Sequence, residues 1–75
     1  MTPKLPAITA KELVRVAERL GFAFRPQRGS HAIYVRPNDQ ARVVIPMHGG
    51  NLKRKTLRSI VNDLKISVEE FSEML

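Results

Sequence analysis

His31 and His48 are the chain's two histidines, the side chains whose ordinary titration, at about pH 6.5, falls nearest neutrality. Each lies beside glycine, in Gly29-Ser30-His31 and in His48-Gly49-Gly50. Asp39 is the only carboxylate between Glu18 and Asp63, which disfavours a hydrolase built on paired carboxylates. The absence of cysteine removes thiolate nucleophiles, thiolate metal ligands and disulfides. No H-x-x-x-H spacing suggests a metal, and no glycine-rich stretch matches a nucleotide fingerprint. Ser30 adjoins His31, but successive strand residues point to opposite faces, so they make a poor Ser–His nucleophile pair. What remains is proton transfer by histidine, with no cofactor required.

The charge distribution narrows the substrate. The formal net charge is +6, from 13 basic and 7 acidic residues. From Arg19 to Arg58 nine basic residues face a single acid, Asp39, whereas Ser59 to Leu75 is mildly acidic. A one-signed stretch of this kind suits a polyanion. RNA supplies its own nucleophile, the 2′-hydroxyl, so a protein that cleaves it need only move protons and stabilise charge on phosphorus. An imidazole can do the first, and lysine and arginine the second. His31 is the candidate catalytic residue and His48 a possible second acid or base. Arg28, Lys53, Arg54, Lys55 and Arg58 are the candidate RNA contacts. Residue types alone equally allow solvated basic turns and ordinary surface histidines.

The elements that must position these groups follow from spacing. Met1 to Ile8, with Pro3 and Pro6, is an irregular lead-in. Thr9-Ala10-Lys11-Glu12 is a capping box, and Ile8 with Leu13 fits a hydrophobic staple. Leu13, Val16, Ala17 and Leu20 make one helical face, ended by Gly21. Phe22 to Arg25 reads as a first strand, Ser30 to Arg36 as a second and Ala41 to Ile45 as a third. Gly29 can take a positive φ without steric cost, so it suits the turn between the first two strands. In the second strand the β-branched pair Ile33 and Val35 favours the His31 side as the buried face, which would put His31 at a core rim. A second helix carries Leu57, Ile60, Val61 and Leu64, with Asn51 or Thr56 as its cap. Ser67-Val68-Glu69-Glu70 opens a short third helix, anchored by Phe71 and Leu75.

Seventy-five residues make one domain, residues 1–75, and 43% hydrophobic content supports a folded core. The order predicts an α+β sandwich of α-β-β-β-α type with a three-stranded antiparallel sheet and a short C-terminal helix. No apolar run is long enough to span a membrane and Met1 to Lys11 lacks a signal peptide's apolar core, so a cytoplasmic protein is expected.

These residues resemble the HicA-type (YcfA-like) toxins of bacterial and archaeal toxin–antitoxin systems. The likeness is carried by Leu20-Gly21-Phe22, Gly29-Ser30-His31, Val44-Ile45-Pro46-Met47-His48-Gly49, Thr56-Leu57-Arg58-Ser59-Ile60 and Val68-Glu69-Glu70-Phe71, nearly the whole chain. Lys55 departs from it, standing where a glycine often precedes the threonine. The resemblance implies a double-stranded-RNA-binding-like fold, mRNA interferase activity with RNA as substrate, and a HicB-type antitoxin as partner. It matches the family's catalytic histidine to His31 and its Pro-x-His loop to Pro46 and His48. A non-catalytic RNA-binding module of the same fold is the alternative. A DNA-binding regulator is less favoured, because no helix-turn-helix pair is predicted.

Overall fold

The computed structural model describes residues 5–25, 29, 31–47 and 49–75. Within them the order is α1 (Ala10–Arg19), β1 (Ala23–Arg25), β2 (His31–Arg36), β3 (Ala41–Pro46), α2 (Arg54–Asp63) and α3 (Val68–Glu73). The three strands form an antiparallel sheet in the order β1-β2-β3, with α1 and α2 both packed against β3. This is the expected α+β architecture with its short C-terminal helix. No helix among the described residues is long and apolar enough to cross a membrane.

One spacing starts all three helices. Ile8 and Leu13, Leu52 and Leu57, Ile66 and Phe71 each lie five residues apart, at the positions just before the N-cap and four residues into the helix. Five of the six side chains are buried and Ile66 is partly buried, as a hydrophobic staple requires. Thr9 and Ser67 add complete capping boxes to α1 and α3. For α2 the staple acts alone: the N-cap is Lys53, with no side-chain cap, and neither Asn51 nor Thr56 takes that role. Asn51 instead bridges Thr9, while the Leu52 N–H donates to the Ile8 carbonyl at 2.9 Å. The starts of α1 and α2 are thereby tied together.

At the end of α1 the Gly21 N–H donates to the Glu18 carbonyl and the Phe22 N–H to the Ala17 carbonyl, both at 3.0 Å. This Schellman closure needs the left-handed conformation that Gly21 adopts, with φ +92°. It also turns Phe22 into the core, so β1 begins one residue later than expected. At the other end of the chain Phe71 is fully buried, but Leu75 is half exposed. Met74, partly buried, packs against the core where Leu75 was expected to.

The register of β2 with β3 decides which face meets the helices. Ala32, Tyr34 and Arg36 pair with Ile45, Val43 and Ala41. The core therefore includes Ala32 and Tyr34, and the face carrying His31 is the opposite one, which corrects the sequence expectation. β3 forces the choice: its inward positions are Ala41, Val43 and Ile45, whereas the other orientation would bury Arg42. The inward face of β2 has its own cation, Arg36, at its end. Its guanidinium donates to both Asp39 carboxylate oxygens at 2.9 and 2.8 Å and to the Leu20 carbonyl at 3.3 Å. It also lies 4.8 Å over the Phe22 ring. Asp39 in turn accepts from the Ala41 N–H at 3.2 Å, closing the β2–β3 turn, with Lys65 at 3.7 Å.

The Arg36 hydrogen bonds hold the Asp39 carboxyl well below the usual carboxylate range. A depressed folded-state pKa stabilises the fold above the unfolded carboxylate's titration, near pH 4, and that contribution is lost as pH falls through the folded value. Thermal unfolding followed by circular dichroism should therefore show Asp39→Asn less stable than wild type at pH 7, with the difference shrinking toward pH 2. A difference independent of pH would remove the ion pair as its source.

Candidate active site on the open sheet face

The same register builds an uncovered face. His31 lies opposite Pro46, Ile33 opposite Val44 and Val35 opposite Arg42. On the other side of β2, Arg25 pairs with Ile33 and Ala23 with Val35. The result is an apolar stripe of Ile33, Val35 and Val44 flanked by Arg25 and Arg42, with His31 at one end. Ile33, central in this row, is buried outside the main core cluster, whereas Val44 is exposed.

His31 is the first residue of β2, and Gly29 ahead of it takes φ +101°, a left-handed value that glycine adopts without steric cost. Its side chain is exposed, and no hydrogen bond or ion pair engages it among the described residues. It does not sit at a core rim: the sheet fixes its backbone while its imidazole faces solvent. Arg28, Ser30 and His48 lie outside the described residues.

Asp39 offers His31 no help. It belongs to the turn at the opposite end of β2 and is committed to Arg36. Tyr34 lies on the helix-side face, where burial and then Glu18 push its phenol above its usual range. Phe24 shares that side, its ring 5.5 Å from that of Tyr34. Among the described residues the open face therefore carries no Phe, Tyr or Trp ring, and polyanion contacts fall to its cations, Arg25 and Arg42. No three His, Asp or Glu side chains cluster as metal ligands among the described residues.

The chain leaves β3 at Pro46, directly across from His31, and reaches α2 through residues 47–53. Buried Leu52 anchors the end of that connection, so Lys53, Arg54 and Lys55 emerge exposed from a fixed start, with no acid in the first turn. The predicted basic set then divides. Lys55 lines a groove between α2 and β3, opposite Arg42. Arg58 lines a different groove, toward Ile66 and Val68. Arg42 and Arg25 were missed as candidates from sequence. For Arg42 the signal was present in β3, where burying Val43 and Ile45 turns Arg42 outward.

A family model described as the HicA toxin of bacterial toxin–antitoxin systems matches residues 10–66, from the start of α1 to just past α2. No curated protein matches the sequence significantly.

Because the His31 side chain packs against no core element, its removal should leave folding intact. His31→Ala is expected to unfold within about 0.5 kcal/mol of wild type. A denaturant titration showing a loss above about 2 kcal/mol would mean that the imidazole is part of the packing.

Proposed function

Because the chain belongs to the HicA toxin family of bacterial toxin–antitoxin systems, we propose that it is an endoribonuclease of the mRNA interferase type, with His31 as the residue that moves the proton. The observation carrying this reading is the position of His31: exposed, first on its strand, and across from the residue at which the chain turns off toward the basic start of α2. The RNA 2′-oxygen attacks phosphorus as its proton passes to a base, and the bond from phosphorus to the 5′-oxygen breaks as that oxygen gains a proton. The products are a 2′,3′-cyclic phosphate and a 5′-hydroxyl. His31 serves as the base or the acid in this exchange, and His48 is the candidate for the complementary role. Lys53, Arg54, Lys55, Arg58 and Arg28 are the proposed contacts to RNA phosphates, where cations offset charge developing on the phosphoryl oxygens. The partner that silences the toxin is proposed to be a HicB-type antitoxin, and the site of action the cytoplasm.

The second reading, a non-catalytic RNA-binding module, draws on the lack of any described hydrogen bond orienting His31. One variant separates the two. His31→Ala should lower RNA cleavage by at least about a hundredfold, the scale of a general acid or base, while RNA affinity stays within a few-fold. The wild-type rate should depend on pH in the range where imidazoles titrate, and the residual rate should not. His48→Ala is the companion: a comparable loss indicates a two-histidine pair, a mild loss a single-histidine route. Full activity in both variants would defeat the histidine mechanism.

A further inference from the structure

The groove between β3 and α2 has a volume of about 560 Å³. Its walls come from elements distant in sequence: Arg42 and Val44 on the strand, Lys55, Thr56, Ser59 and Asp63 on the helix. Ile60, a core residue, also lines it, and the other lining residues lie outside the core cluster. Val44 lies on the same sheet face as Pro46 and His31, so the groove continues the face on which the proposed chemistry takes place. Arg42 stands four residues from Pro46, about 13 Å along the strand. A mononucleotide held at His31 falls short of that distance, and a short oligonucleotide spans it.

Two cations, Arg42 and Lys55, face this groove, and neither is in an ion pair among the described residues. Thr56 and Ser59 add hydroxyls between them. Asp63 lies eight residues beyond Lys55, about 12 Å along the helix, and brings the groove's one carboxylate. Phosphates are thus favoured toward Lys55 and opposed toward Asp63. We propose that this groove holds the phosphate backbone of the RNA strand to one side of the cleaved bond, with Arg42 and Lys55 as its contacts and Asp63 limiting how far the strand runs. The proposal rests on the ribonuclease reading and adds to it a substrate that must be an oligonucleotide for full affinity, and a role for Arg42 separate from the chemical step.

The test uses the full chain, a fluorescent single-stranded RNA oligonucleotide for anisotropy and cleavage, and a dinucleotide for cleavage alone. Arg42→Gln should weaken oligonucleotide binding about tenfold and reduce the log–log salt slope by about 0.7, the effect of one lost phosphate contact on a single strand. Dinucleotide cleavage should fall by a clearly smaller factor than oligonucleotide cleavage. Asp63→Asn should tighten oligonucleotide binding several-fold, the opposite sign. Arg15→Gln, an equal charge change beside α3 and outside the groove, should leave both substrates as in wild type. The proposal is overturned if Arg42→Gln binds the oligonucleotide normally, or if Arg15→Gln weakens it equally. It is also overturned if Arg42→Gln loses affinity for the antitoxin alone, which would make the groove a protein-docking surface. Failure of the underlying reading is distinguishable, because wild-type protein would then cleave neither RNA.

Discussion

Arg36 is the residue on which the arrangement of this small domain turns. It is a charged group at the end of an inward-facing strand row, and it remains there because three of its N–H groups are hydrogen-bonded and its side chain still reaches solvent. The Asp39 carboxylate takes two of its N–H groups, the Leu20 carbonyl takes a third, and the Phe22 ring lies beneath. Those partners belong to the β2–β3 turn, the end of α1 and the entry to β1. One side chain thus holds the hairpin turn against the helix that precedes the sheet. With the turn closed over Pro37 to Gln40, Arg36 pairs with Ala41 and every later pair follows, down to His31 opposite Pro46. A slip of one residue would exchange the two faces of β2 and bury the histidine.

That register explains both what the sequence revealed and what it concealed. The capping boxes at Thr9 and Ser67, the apolar periodicities of α1 and α2 and the glycines at 21 and 29 are local signals, and each element appeared where those signals placed it. The face of β2 is not a local property. Ile33 and Val35 are better strand-core residues than Ala32 and Arg36 when β2 is read alone, but β3 cannot bury Arg42, and pairing passes that constraint across the hairpin. The start of α2 was obscured for a different reason. Asn51 and Thr56 are the polar residues suited to an N-cap, whereas Leu52 and Leu57 set the start by burial, leaving a lysine in the cap position. The spacing shared with Ile8–Leu13 and Ile66–Phe71 was visible in the chain.

The candidate site was partly legible. His31 could be picked from sequence because few titratable groups compete with it. Its setting could not, since it depends on the sheet register. The basic residues near α2 read as one cluster in the sequence because Lys53, Arg54, Lys55 and Arg58 are close in number. Arg58, one turn along the helix from Lys55, lines an adjoining groove that shares Ser59, and the cation across the groove from Lys55 is Arg42, from an element more than ten residues earlier. With Phe24 and Tyr34 turned to the helix side, the described part of the open face has charge and shape to offer a nucleic acid and no Phe, Tyr or Trp platform. Such a surface is better suited to contacts with a phosphate backbone than to reading bases.

The most direct measurement of the central claim is the chemistry of the RNA ends left by the purified protein in the presence of a metal chelator. Histidine-mediated attack by the 2′-hydroxyl gives a 5′-hydroxyl and a 2′,3′-cyclic phosphate, and a substrate carrying a single 2′-deoxy nucleotide at the cleaved position is left whole. A 5′-phosphate end, or cleavage of the 2′-deoxy substrate, would contradict it.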